Sequence, residues 1–380
     1  MNFFINDSFF HQLTLYICTF TQEIFTIHFI LSNLLFFNRL LLGWHAFCES
    51  NSKGTKGVRE MRRPLPETIT KSLTLPVIAA PMFLVSGPEL VINCCKSGIV
   101  GSFPFQNART IEVLEDWLKE ITSSLSQNPS NAVWAANIVV HKSYGRTEQE
   151  LELVKRYQPP IVVTALGNPS KVIETVHSYG GLVFADVNSI AYAKKAAASG
   201  VDGLVLVCAG AGGHSGLLNS FAFVEEVRTF WNGFICLAGG MSTGSSIVAC
   251  EALGVDFAYM GTTFIMAEES LALPAYKDML TEATSEDIIL TDSFTGVPAN
   301  MLRQSIEQAG LDPKNLKKKD VINFDQPLDG TKAWRDIWSA GHGVGNLSVI
   351  RPVSQIILQL KEEYETAKKT VLHANNLPVK

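Results

Sequence analysis

None of the seven cysteines (Cys18, Cys48, Cys94, Cys95, Cys208, Cys236 and Cys250) stands in a C-x-x-C pair. Their number is odd, and two fall inside expected strands. They read as small buried apolar residues in a reducing compartment, not as a disulfide framework or a zinc site. No facial triad of metal ligands stands out, so no metal is expected. Lysine and arginine nowhere cluster with interleaved aromatics, and the net charge of −5 mixes both signs. That excludes the usual footprint of nucleic-acid binding. No Lys or Arg precedes Arg39, so the amino terminus lacks the basic head of a secretory signal.

Formal charge is also missing from residues 24–38, an apolar run interrupted by Thr26, His28, Ser32 and Asn33. A membrane span needs roughly 20 mostly apolar residues, so this run is a marginal one. Met61 opens a polar lead-in before the first convincing strand, and a working protein that starts there is the expectation. Peptides from residues 1–60 in the native protein, found by mass spectrometry, would refute it. A membrane anchor at 24–42 or a folded extension are the alternatives. Cytoplasmic location is expected, and no membrane contact unless 24–42 are an anchor.

What the chain does contain is regular from Leu75 onward. Its 380 residues are 47% hydrophobic, enough for one large core. Strand-like apolar runs begin near Leu75, Ile99, Val133, Ile161, Gly181, Gly203, Phe234 and Asp256. They are continuous rather than alternating, the mark of parallel strands covered on both faces. Helix patterns with readable ends lie between them. Gly87-Pro88 opens one that Gly98 closes; Thr147 and Glu150 fit a capping box; Asn168-Pro169, Ser189 and Thr243 open others. Eight such units over about 210 residues predict an α/β fold, a (β/α)8 TIM barrel. An open doubly wound sheet would bring a G-x-G-x-x-G turn after its first strand, and Ala79-Ala80-Pro81-Met82 holds none. The expected organisation is an extension at 1–60, a barrel at 61–283 and an α-rich segment at 284–380. That last segment carries a loop at Thr295–Asn300, a solvated basic run at Lys314–Lys319, and a final helix at about Val353–Ala374. Its Trp/Gly stretch, Trp334–Gly345, reads equally well as a lid over the mouth or as plain packing.

Glycine is concentrated where such a barrel works. Gly210-Ala211-Gly212-Gly213-His214-Ser215-Gly216 follows the sixth strand, Gly239-Gly240 the seventh and Gly261-Thr262 the eighth. Barrel active sites lie at the carboxyl ends of strands, and the last two loops often bind phosphate. Exposed backbone N–H groups in glycine turns form anion nests. His214 therefore reads as a proton-transferring imidazole beside a phosphate-bearing cofactor. His141 follows strand three and could line the mouth, whereas His177 sits within a helix pattern.

With Ala80-Pro81-Met82, Ala211–Gly216, Leu237–Gly240, Met260-Gly261-Thr262 and Thr295–Ala299 in this order and spacing, the chain resembles the nitronate monooxygenase family of FMN-dependent barrels. The resemblance runs from about Leu75 to Leu347. It implies FMN across the barrel mouth, with Pro81 and Met82 near the ring and Asn137 and Asp186 near its edge or the pocket. Gly212, Gly213, Gly239, Gly240, Gly261 and Thr262 would hold the phosphate. His214 matches the family's active-site histidine. The implied reaction is oxidation of a small nitronate or nitroalkane with O2 to a carbonyl compound and nitrite, and a homodimer is compatible with it. His342 departs from the glutamine expected there. An FMN-dependent NAD(P)H reductase of the enoyl-thioester or quinone type shares the glycine–histidine loop and is the alternative. A flavin- or phosphate-binding module without catalysis is the third reading.

Overall fold

The computed structural model describes residues 64–127, 133–141, 144–318 and 333–374. The expectations for 1–60, the span at 24–42 included, and the end of the basic run at Lys319 fall outside them. The strands in chain order are β1 (Val77–Ala79), β2 (Gly101–Pro104), β3 (Trp134–Val139), β4 (Ile161–Ala165), β5 (Leu182–Val187), β6 (Gly203–Val207), β7 (Gly213–His214), β8 (Phe234–Ala238), β9 (Phe257–Met260), β10 (Ile288–Thr291) and β11 (Ala299–Leu302). Eight of them form one parallel sheet in the order β1-β9-β8-β6-β5-β4-β3-β2. Its ends meet through an Ile78–Val100 bridge, with the Ala79 amide 2.9 Å from the Val100 carbonyl and the Val100 amide 3.0 Å from that of Val77. The result is the (β/α)8 barrel.

Burial on both faces explains the uninterrupted apolar strands. On β5, Leu182 and Phe184 fill the barrel lumen, while Val183, Ala185 and Val187 pack outward against helices. The lumen continues through Val205, Phe234, Cys236, Phe257 and Tyr259. Burying a side chain of the Phe or Leu class is worth roughly 1.5–3 kcal/mol. Ile69, on the short helix Glu67–Thr70, joins the lumen cluster with Leu65 and Leu73.

Every expected strand start lies within two residues of the observed one. Ser189 accepts from the Tyr192 amide and Thr243 from the Ser246 amide at the starts of their helices. Asn168 Oδ1 accepts from Ser170 N at 3.0 Å. The final helix spans Val353–Ala374. The Thr147/Glu150 capping box does not form. The helix does start at Thr147, but the Glu150 carboxylate is drawn to the Tyr144 hydroxyl at 2.6 Å and to Arg146 at 3.5 Å. Beyond the barrel the chain adds strands as well as helices. Residues Ala299 and Asn300, expected in a loop, pair in β11 with His214 and Gly213, giving a three-stranded antiparallel sheet β10-β11-β7. Among the described residues no helix is long and apolar enough to cross a membrane.

Candidate active site

The loops that leave β6, β8 and β9 meet the tail segment at the carboxyl end of the barrel. The Gly210 carbonyl accepts from the Gly240 amide (3.2 Å) and the His342 amide (2.9 Å). Thr262 Oγ1 accepts from the Gly341 amide at 2.9 Å. Asn346 donates to Ser242 Oγ at 2.9 Å. The loop after β1 is held from the next unit: Asn107 donates to the Met82 and Ser86 carbonyls and accepts from the Leu84 amide. That clamp holds Leu84 at φ +62°, a left-handed conformation uncommon for its residue type.

His214 sits at the end of β7, whose pairing with β11 fixes the backbone on one side. On that strand Asn300 donates to the Ala211 carbonyl at 2.7 Å. The imidazole Nε2 lies 3.3 Å from Thr295 Oγ1. Trp334 approaches the ring edge-on with centroids 4.9 Å apart, and Phe83 meets Trp334 at 6.4 Å. Burial among these groups pushes the imidazole down to about 4, because the charged form would lose its water. His214 is therefore neutral at physiological pH.

The glycines divide into two groups. A side chain at Gly212 would press on the Ala340–Gly341 backbone, and one at Gly239 on the Ala209 carbonyl, so both are required by packing. At Gly213 and Gly240 the backbone is left-handed (φ +68° at each), and a Cβ would find no atom nearer than 3.6 Å and 4.0 Å. At Gly261 the nearest atoms are Met82 Sδ and the Ala80 Cβ, at 3.6 and 3.7 Å. At these three positions a Cβ would meet only ordinary van der Waals contacts; Gly240 is exposed, Gly261 half-buried and Gly213 buried. The tail packs beside these loops, and the exposed His342 stands next to Gly210.

Strand alternation points Asn137 and Asp186 into the upper lumen. Asn137 is buried and donates to the Val163 carbonyl at 3.2 Å. Asp186 Oδ1 is buried with no hydrogen-bond partner, and burial pushes its carboxyl up to about 7. Tyr259, beside it from β9, also has a buried and unpartnered hydroxyl. Tyr259 and Asn107 thus lie at the candidate site although sequence reading gave them no role, while Thr295 entered only within a motif and Trp334 only within the lid-or-packing stretch. An aromatic on a buried strand reads as core, and period two after Phe257 is the one signal that could have aimed Tyr259 inward. His141 lies just past β3, and His177 is away from the site, 2.8 Å from Asp202. Among the described residues no group of three or more His, Cys, Asp or Glu could hold a metal ion.

The profile of the nitronate monooxygenase family matches residues 66–363. A nitronate monooxygenase of Paraburkholderia phytofirmans is 26% identical over 337 residues, 76% of this chain and 92% of that protein. A Mycobacterium tuberculosis protein with a monooxygenase name is 30% identical over 221 residues, 54% of this chain and 59% of that one, so the match spans less than two thirds of it. Among solved structures, FabK from Thermotoga maritima aligns with a TM-score of 0.66 at 22% identity, over 81% of this chain and 98% of that one. Nitroalkane oxidase from Streptomyces ansochromogenes aligns with a TM-score of 0.66 at 21% identity, over 80% and 99%. These two likenesses establish the fold.

Proposed function

Because the chain belongs to the nitronate monooxygenase family of flavin-dependent oxidoreductases, we propose that it holds FMN across the barrel mouth and oxidises alkyl nitronates with O2 to a carbonyl compound and nitrite. The observation that carries this reading is a neutral imidazole, His214, half-buried against Thr295 and Trp334 where the loops after β1, β6, β8 and β9 converge. In this reading residues 61–283 hold the cofactor and 284–380 cover His214. The left-handed backbone at Gly213, Gly239 and Gly240 supports a phosphate there, with Gly212, Gly261 and Thr262 in the same turns. Pro81 and Met82 line the ring side, and Asn137 and Asp186 the lumen side.

The bound flavin supplies the electron-accepting chemistry; the protein supplies position and electrostatics. His214 accepts or shares the substrate's proton at Nε2 or Nδ1. A base pushed down to about 4 is poorly matched to a weak carbon acid. A nitronate, already deprotonated, suits it better, so nitronates are the preferred substrates and neutral nitroalkanes the slower ones. Trp334, itself met by Phe83, covers one side of the imidazole.

The test is the visible spectrum of the purified full-length protein, followed by anaerobic titration. Flavin bands, with FMN released on denaturation and rapid bleaching by propionate 3-nitronate, are expected. Bleaching by NADPH with no response to nitronates would replace this reading with a reductase. His214→Asn should lower kcat/KM at least about 100-fold for nitroalkanes, where the base is essential, and less for nitronates. Unchanged turnover of both would remove the role of His214.

A further inference from the structure

The unpartnered atoms of the lumen, Asp186 Oδ1 and Tyr259 Oη, belong to the penultimate residues of β5 and β9. Leu182 and Phe184 precede Asp186 on the inward face of β5, and Phe257 precedes Tyr259 on that of β9. In register Asp186 pairs with Val205, Val205 with Cys236 and Cys236 with Phe257, so Tyr259 stands one inward step nearer the mouth. The two groups are close enough to act on each other: the Asp186 charge helps push the Tyr259 phenol up, after burial itself. Around them β6 presents Val205 and Val207, β4 Val163, β8 Cys236 and Ala238, and Ala80 follows β1; β3 adds Asn137, paired with Val163 and donating to its carbonyl. The Cys236 thiol and the Tyr259 phenol are the titratable groups on which the Asp186 charge acts. Asp256, which also acts on Cys236, is engaged by Arg228 at 3.2 Å. Two buried, unsatisfied polar atoms among mostly apolar neighbours are costly unless a further group satisfies them.

Resting on the reading that FMN occupies the mouth, we propose that Asp186, in its neutral form, and Tyr259 make a two-pronged donor site for the heteroatom edge of the bound ring. The ring's edge carries carbonyl oxygens and unprotonated nitrogens, which accept, beside one N–H, which donates; a carboxylate set against the acceptors would repel. A carboxyl pushed up to about 7 keeps its proton through the lower half of the neutral range. Tyr259 thereby becomes a cofactor contact, and the proton on Asp186 couples cofactor affinity to pH.

The experiment strips flavin from the full-length chain and titrates FMN back by fluorescence quenching between pH 6 and 8. Wild type, Asp186→Asn and Tyr259→Phe are compared, and thermal unfolding of each flavin-free protein is recorded. Tyr259→Phe should weaken FMN about fivefold, the worth of one hydrogen bond. Its flavin-free form should melt at the same temperature or higher, since it loses an unpaired hydroxyl. The wild-type Kd should rise as pH climbs through 7, by up to about tenfold from pH 6 to pH 8. Asp186→Asn should remove that rise; the ligand phosphate titrates alike in both proteins. If FMN binds and all three proteins share one Kd and one pH profile, the donor site is wrong while the cofactor reading stands. A flavin-free Tyr259→Phe that melts lower, with unchanged FMN affinity, would make Tyr259 a structural residue and overturn its part. Failure of the wild type to take up flavin at any pH would overturn both.

Discussion

His214 illustrates how one residue couples site chemistry to stability. Its imidazole lies at about 4 in the folded protein and near 6.5 when the chain unfolds. Between those values the unfolded chain binds the extra proton, so folding stability rises with pH across that window. The contribution is complete above about 6.5 and is lost as pH falls toward 4, amounting to roughly 3 kcal/mol from the 2.5-unit gap. Replacing His214 with Asn should flatten the stability curve of the flavin-free protein between pH 4 and 6.5. Urea unfolding at several pH values checks this; an unchanged slope would assign the acid sensitivity elsewhere. The residue was legible because glycines isolate it in the sequence. Tyr259 was not: its hydroxyl matters through what is missing around it, and only the folded lumen reveals that. Asn107 was hidden for a related reason, since its partners Met82, Leu84 and Ser86 are brought to it by the barrel and not by the chain.

Helices and strands were readable where the signal is local. Period, caps and positive-φ glycines at Gly98, Gly180, Gly200 and Gly254 closed helices where the pattern ended. The Thr147/Glu150 box failed because a tertiary partner, Tyr144, outcompeted the local cap. Strand β11 escaped notice because its pairing with β7 reaches more than 80 positions back, and its near partner β10 is short and half-exposed. Docking of the last helix was equally non-local. Gly244 lies so close to it that a Cβ would collide with the Tyr364 nitrogen and the Leu360 carbonyl oxygen. The Gly244 amide also donates to Glu363 at 2.8 Å, and Tyr364 to Glu251 at 2.6 Å. Gly244→Ala is therefore expected to push Val353–Ala374 off its seat and destabilise the protein by about 1–3 kcal/mol. Thermal unfolding, with hydrogen exchange showing the loss of protection confined first to that helix, is the check. A variant of wild-type stability would mean that the contact relaxes freely.

At the scale of the whole molecule, the barrel places chemistry by order alone: strands six, seven and eight must end side by side, and their glycine turns follow. That is why the mouth was legible from spacing, whereas spacing left the tail open between a lid and plain packing. Residues 340–343 pack beside Gly210, Gly212 and Gly240, so the tail joins the loops that carry the left-handed Gly213, Gly239 and Gly240. A phosphate held there interacts through backbone N–H groups rather than lysine or arginine, so its contribution should survive substitution of surface charges and weaken only modestly with salt. Charge-assisted hydrogen bonds of this kind are each worth about 1.5–3 kcal/mol. FMN should accordingly bind at least about 100-fold more tightly than riboflavin, a difference of about 2.7 kcal/mol. Because a ligand that binds only the folded state stabilises it in proportion to its affinity, FMN should also raise the unfolding midpoint more than riboflavin at equal concentration. Gly240→Ala, strained at its left-handed backbone and adding a methyl group beside His342, should shrink both differences. Equal affinity of the wild type for FMN and riboflavin would mean that the last two barrel loops do not hold a phosphate.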